Sequence, residues 1–264
     1  MIGPITSRVG RFLFSPSAKR ILEQKKSTIN FDQILDNGKI LICNLSKGKL
    51  GEDTSEVLGI MILTKIQLAA LKRARQEAKM RRPYYLYVDE FQNFATPSFI
   101  QMLSEARKYG INLVMAEQST SQQKDRNLVN VILANVGTTI SFRSANPIDE
   151  QLMLPQFSPY VEKGEIANLP SFKFYIKIAA INPEESFSGE TVPVNIKVDK
   201  KKVEKLIQIS RENNAIEYKP PIKSSNASVT YKPNGQDKKD DRKDNSIEEI
   251  NGFPPEESEQ LVVA

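Results

Sequence analysis

Two adjacent acids, Asp89 and Glu90, close the run "YYLYV" (84–88), and the chain resumes at once with Phe91 and Phe94. Burying an unpaired carboxylate costs several kcal/mol, so the pair belongs at the exposed end of a strand or beside a cation. A metal and phosphates would meet both needs. An apolar run ending in Asp-Glu is the Walker B pattern: Asp89 would hold Mg2+, usually through water, and Glu90 would orient and deprotonate the water attacking a terminal phosphate. The same dipeptide also ends strands that do no chemistry, because short motifs match by chance.

Three more positions bear on that choice. Gln118 ends "INLVMAEQ"; on a strand next to the Asp-Glu strand, its neutral amide would sense the terminal phosphate or place the water, and otherwise it simply faces solvent. Arg107, in "SEARKYG", either favours a helix carboxyl end electrostatically or reaches into a neighbouring subunit's site as an arginine finger. Arg143, after "TTISF", is a second candidate for charge sensing. Phe91 and Phe94 read as core residues, since aromatics beside a strand end pack more often than they stack on bases.

Composition narrows the chemistry. The 264 residues include no histidine, which removes the commonest general base, the Ser-His triad and histidine-ligated zinc. The one cysteine, Cys43, sits in the apolar run "KILICNL" and offers neither a disulfide framework nor a thiolate metal site. A net charge of +5 weakly favours anionic partners. No apolar stretch reads as approaching the roughly 20 residues of a membrane span, and "MIGPITSRVGRFLF" has no signal-like core, so a cytoplasmic setting is expected.

The elements that would position these residues follow from pattern. Residues 1–37 read as a basic helical lead-in, with "SPSAKRILEQ" and "INFDQILDNGK" as short capped helices. In 38–196 strands and helices alternate: a strand over 39–45, a helix over 54–79 begun by Thr54 or Ser55, the Asp-Glu strand, a helix closed by Gly110, the Gln118 strand, a helix ended by Gly137, and strands "TTISFR", "FKFYIKIAAI" and "ETVPVNIKV", the last read as antiparallel at an edge. Such alternation predicts an α/β fold with a mostly parallel sheet flanked by helices. In that fold ligands bind beyond the carboxyl ends of the strands, where Asp89 and Glu90 stand. Residues 197–264 read as a charged, mostly disordered tail with one surface helix near its start.

"YLYVDEFQNFATPSFIQMLSEARKYGINLVMAEQSTSQQ", with "GKILICNLSKGKLGEDTSEVLG" and "NVGTTISFR", resembles the carboxyl-terminal half of the motor domain of type IV secretion coupling proteins, the TraG/TraD-like conjugation ATPases of the FtsK/HerA group. The resemblance runs over residues 1–196 and implies a RecA-like P-loop NTPase core. It also implies ATP and Mg2+ as cofactors, Asp89 and Glu90 as Walker B, Gln118 as the motif after the next strand, and Arg107 as the finger in trans. Implied with these are a homo-oligomer of hexameric type, single-stranded DNA with its relaxase as cargo, and a secretion channel at the inner membrane, against whose inner face the chain would lie peripherally.

The chain departs from that family in one respect. No G-x-x-x-x-G-K-[ST] occurs in it, and "LSKGKLGED" has neither the spacing nor the terminal hydroxyl. The chain therefore reads as half a motor, a truncated or split gene product, with the Walker A half on a separate P-loop-bearing polypeptide, or a degenerate relative; alone it is expected to hydrolyse ATP poorly or not at all. A non-catalytic DNA-binding or docking subunit derived from such an ATPase is the alternative. The basic lead-in and "KKKVEK" would give salt-dependent DNA affinity if they contact phosphates.

Overall fold

The computed structural model describes residues 10, 15–96, 99, 105–120, 126–178, 185–217 and 262–263. Two short helices open it, both where the sequence predicts them. Ser15 Oγ accepts the Ala18 amide at 3.4 Å ahead of α1 (Pro16–Leu22), whose first position is a proline that needs no donor. Asn30 takes the Gln33 amide at 3.1 Å ahead of α2 (Phe31–Asp36), which stops at Gly38 with φ of 63°.

The expected strand over 39–45 is reduced to β1 (Leu41–Ile42), paired antiparallel with β7 (Val262–Val263). A single turn, α3 (Lys47–Leu50), leads into α4 (Glu52–Lys72). Gly51, not Thr54 or Ser55, precedes that helix; both hydroxyl residues are buried in its first turn, and Ser55 Oγ donates to the Leu45 carbonyl at 2.5 Å. The helix also ends before 79, giving way to 3-10 turns at Arg73–Arg75 and Ala78–Met80. By length and composition Glu52–Arg75 is long and apolar enough to cross a bilayer, which corrects the reading that no stretch approaches that length. Here it is the central core helix, burying Leu58, Leu63, Ile66, Ala69 and Ala70.

β2 (Tyr84–Val88) and β3 (Ile111–Met115) pair in parallel, with Tyr84 opposite Ile111 and Val88 opposite Met115. Val88 and Ile111 join Ile34, Leu35, Ile66 and Phe91 in one core cluster, so α2, α4 and the sheet share an interior. Phe91 and Phe94 are 1% and 8% exposed, as expected of packing residues. Gly59 makes room for Phe94: a Cβ there would come within 2.2 Å of its ring. The Asp-Glu strand is not buried on both sides, however. Tyr85, Tyr87 and, on β3, Val114 are 60%, 72% and 44% exposed, so among the described residues one face of the parallel pair is uncovered. Parallel sheets are normally covered on both faces.

The remainder corrects the mostly parallel sheet. After α5 (Arg126–Asn135) come β4 (Thr138–Phe142), α6 (Pro147–Phe157), β5 (Lys173–Ile178) and β6 (Phe187–Glu190). Strands β4, β5 and β6 form an antiparallel sheet, so parallel pairing is confined, among the described residues, to β2 and β3. The physical reason is the return path: α6 and the turns after it fold back on Phe157, Val161 and Ile166 and deliver β5 alongside β4 from the opposite end. The strand expected over 190–198 lies upstream as β6. Residues 191–199 join no ladder; Pro193 lacks a donor, and Val192, Val194, Ile196 and Val198 are exposed. Asp199 caps α7 (Lys200–Asn214), the anticipated surface helix. The rest of the tail expected to be disordered lies outside the described residues, except for 215–217 and β7.

Candidate active site

The acid pair stands at the carboxyl end of β2, directly after Val88, the last residue in register with β3. Asp89 is exposed, and its Oδ1 accepts the Glu90 amide at 3.0 Å. Its other oxygen accepts no hydrogen bond among the described residues. Glu90 adopts φ 50°, ψ 43°, a left-handed conformation that costs a non-glycine residue roughly 1–2 kcal/mol. Strain of this kind persists only where the surroundings hold it. Two ladder-like bonds do so here, from Phe91 N to the Ala116 carbonyl and from Ala116 N to the Val88 carbonyl, each 3.0 Å.

The turn aims the Glu90 carboxylate across to the end of β3. Gln118 Nε2 donates to Oε1 at 2.5 Å and Gln92 Nε2 to Oε2 at 2.8 Å. The structure therefore brings Glu90, Gln118 and the adjacent Asp89 together. Sequence pattern does not single out Gln92, although a polar residue two positions after the acid is a signal for it.

Neither arginine joins them. Arg107 lies in the 3-10 turn Ala106–Tyr109, exposed, and its side chain makes no hydrogen bond or ion pair among the described residues. It precedes β3 whereas Gln118 follows it, so a strand of about five residues, ~16 Å, separates Arg107 from the Glu90 end of the sheet. It has no route to this chain's own Glu90. Arg143 follows β4 and is likewise exposed, in the other sheet.

A cleft of about 540 Å³ beside β2 is lined by Lys47, Asp89, Glu90 and Asn93 together with Cys43 and Gly59. Lys47 Nζ donates to Asn93 Oδ1 at 2.9 Å and pairs with Glu52 at 3.0 Å, while the Asn93 amide returns to the Glu90 carbonyl at 2.9 Å. The "LSKGKLGED" segment thus lacks a phosphate-cradle sequence, and its Lys47 ammonium is held by Asn93 and Glu52. A larger cleft of about 690 Å³ between α2 and α4 is lined by Lys65, Lys72 and Arg75 and holds no acid pair. Among the described residues no cluster of three or more acids, cysteines or histidines exists to hold a metal by protein ligands alone. Mg2+ is commonly held by one or two carboxylates, water and substrate phosphates, so a single open carboxylate oxygen lining a cleft fits it.

Burial pushes the Cys43 thiol up from 9.0 to about 11. Its folded pKa exceeds the unfolded value, so this contribution to stability is complete below about pH 9 and is lost as pH rises towards 11. Thiol-disulfide reagents should accordingly modify Cys43 at pH 7.5 at least tenfold more slowly than in the urea-unfolded chain, with the difference narrowing above pH 9. Equal rates at pH 7.5 would refute this.

The buried Asp149 is the residue most readily overlooked from sequence. It stands in the first turn of α6, is 4% exposed, and accepts hydrogen bonds from Ser119, Thr120 and Ser144. "NPIDE" signals only a helix start, with Asn146 as cap and Pro147 at the first position.

Residues 83–153 match a sequence-family model described as the TraM recognition site of TraD and TraG. No curated protein sequence matches the chain. Among solved structures, the bacterial conjugative coupling protein TrwBdeltaN70 in its unbound monoclinic form is 21% identical at a TM-score of 0.42, over 56% of this chain and 38% of that one. The plasmid coupling protein TrwB in complex with ADP and Mg2+ is 22% identical at 0.39, over 54% and 39%. The genome packaging NTPase B204 from Sulfolobus turreted icosahedral virus 2 in complex with sulfate is 14% identical at 0.38, over 51% and 64%. The chain spans less than two thirds of the length of each.

Proposed function

We propose that this chain, TraG/TraD-like through its residues 83–153, supplies the Walker B and trans-arginine side of an ATP site in a conjugative DNA-transfer motor. The observation that carries the reading is the 2.5 Å hydrogen bond from Gln118 to Glu90 at the carboxyl edge of a parallel strand pair. A strand-end acid and a phosphate-sensing amide on the neighbouring strand are what water activation beside a terminal phosphate requires. Glu90 would orient and deprotonate that water, Gln118 would exchange its carboxylate partner for phosphate or water, and Asp89 would hold Mg2+ through its open oxygen. Bound there, the metal supplies charge neutralisation on the phosphates.

The phosphate-gripping amides and lysine of a P-loop have no counterpart in the 264 residues, and a carboxylate pair cannot replace them. A P-loop segment outside these residues completes the site, and Arg107 serves the neighbouring subunit's site, consistent with its distance from its own. Purified alone, the chain is expected to release no phosphate from ATP above background in a malachite-green assay. Turnover by the lone chain that disappears in Glu90→Gln would overturn the incomplete-site reading.

A second reading is favoured by the uncovered face of Tyr85, Tyr87 and Val114, all inside the segment whose family model is described as a recognition site. On that reading the chain is a docking subunit that binds a TraM-type partner and does not turn over. Retention of partner binding with no activity in any reconstituted assembly would favour it.

A further inference from the structure

We propose that Asp149 is a positioning residue that locks the Gln118 loop and the Arg143 loop to one helix, so that the phosphate-sensing amide and the second arginine are set by a single carboxylate. The inference rests on the site reading above and deepens it.

The geometry is specific. Oδ1 accepts Thr120 Oγ1 at 2.5 Å; Oδ2 accepts Ser119 Oγ at 2.8 Å and Ser144 Oγ at 3.0 Å. Ser119 and Thr120 directly follow Gln118 at the end of β3, and Ser144 directly follows Arg143 at the end of β4. Strands β3 and β4 belong to different sheets, so no ladder bond holds their loops in register. Asp149 bridges them instead. Its own place is fixed from below: Asn146 Oδ1 caps α6 through the Ile148 amide at 3.0 Å, and the neighbouring buried Glu150 accepts the Gly164 amide at 2.6 Å, tying the helix to the loop packed beneath it.

Charge makes this arrangement selective. A carboxylate offers acceptors only, so each hydroxyl must point its proton inward, and bonds to an ionised acceptor are roughly twice as strong as neutral ones. Three such bonds converging on a residue with 4% exposure leave little alternative to the observed loop positions. Gln118 immediately precedes Ser119 and Thr120, so its bond to Glu90 is made from the backbone those two hydroxyls anchor. Loosening Ser119 and Thr120 would therefore be felt first at Gln118.

The test uses the full chain, without nucleotide. In 15N-glutamine-labelled protein the Gln118 side-chain amide should resonate away from free glutamine because of its bond to Glu90. Asp149→Ala is expected to move it to the free position and to raise hydrogen exchange at Ala116 and Phe91 about 10- to 100-fold, with exchange in α6 beyond its first turn unchanged. Asp149→Asn, which keeps one acceptor oxygen but loses the charge and the other acceptor, is expected to shift the resonance less than Asp149→Ala does. Should Asp149→Ala fail to fold, Ser119→Ala with Thr120→Val removes two of the donors while leaving Asp149 in place and is expected to free Gln118 in the same way. A wild-type Gln118 resonance in that double variant, or in folded Asp149→Ala, overturns the proposal. The two readings fail separately: an intact clamp in a chain whose reconstituted assemblies never hydrolyse ATP would sink the site reading and leave the positioning role standing.

Discussion

Combined with a P-loop-bearing polypeptide, the chain should gain ATPase activity that Arg107→Ala lowers about 10³-fold. The size follows from what a finger does: a guanidinium placed on the transferring phosphoryl group stabilises charge that develops only in the transition state, so its loss falls on turnover more than on nucleotide affinity. The direction follows from placement. Arg107 is exposed, engages no side-chain partner among the described residues, and precedes β3, whereas Glu90 and Gln118 stand at the opposite edge. A site of this kind is built from two copies, one presenting the acid and the other the arginine. Mixing equal amounts of Glu90→Gln and Arg107→Ala chains should then restore activity towards about a quarter of wild type, because that share of interfaces joins an intact acid to an intact finger. Activity no higher than that of either variant alone would show that the two residues do not serve one site in trans, and undiminished turnover in Arg107→Ala would remove the finger altogether.

Asp36→Ala should cost about 2–3 kcal/mol of stability, read as a fall of about 1 M in the urea midpoint. Arg73 is 1% exposed at the end of α4, and Asp36 Oδ1 accepts its Nε at 2.9 Å. Its Nη1 reaches the Arg82 and Tyr109 carbonyls at 2.9 and 3.2 Å, which joins α2, α4 and the starts of both parallel strands at one guanidinium. Removing the acid leaves a buried cation without its counter-charge, the costly way to break a buried pair. Asp36 is itself 39% exposed, and solvent screening puts the loss at the low end. Arg73→Met removes the charge together with its desolvation and should cost less than Asp36→Ala; the reverse order would mean that the carbonyl contacts, not the ion pair, hold these elements together.

The parts of the site that were legible in the sequence are those carried by local pattern. "YYLYVDE" and "INLVMAEQ" announce two strands with polar ends, and a right-handed crossover makes them parallel neighbours, which is enough to put Gln118 beside Glu90. The caps at Ser15, Asn30 and Asp199 were likewise written in residue type. Asp149 was not, because its meaning lies in hydroxyls 29 and 30 residues away that look like ordinary loop polar groups. Nor was Arg73, one cation in the basic run "KRAR", where nothing local distinguishes the buried side chain from solvated ones. The antiparallel return of β5 escaped for a related reason: strand periodicity reports which face is apolar and says nothing of direction.

The bare tyrosine face has a cellular corollary. A chain in which nothing shields Tyr85, Tyr87 and Val114 keeps an adhesive flank, so its tendency to self-associate would rise with its concentration in the cell.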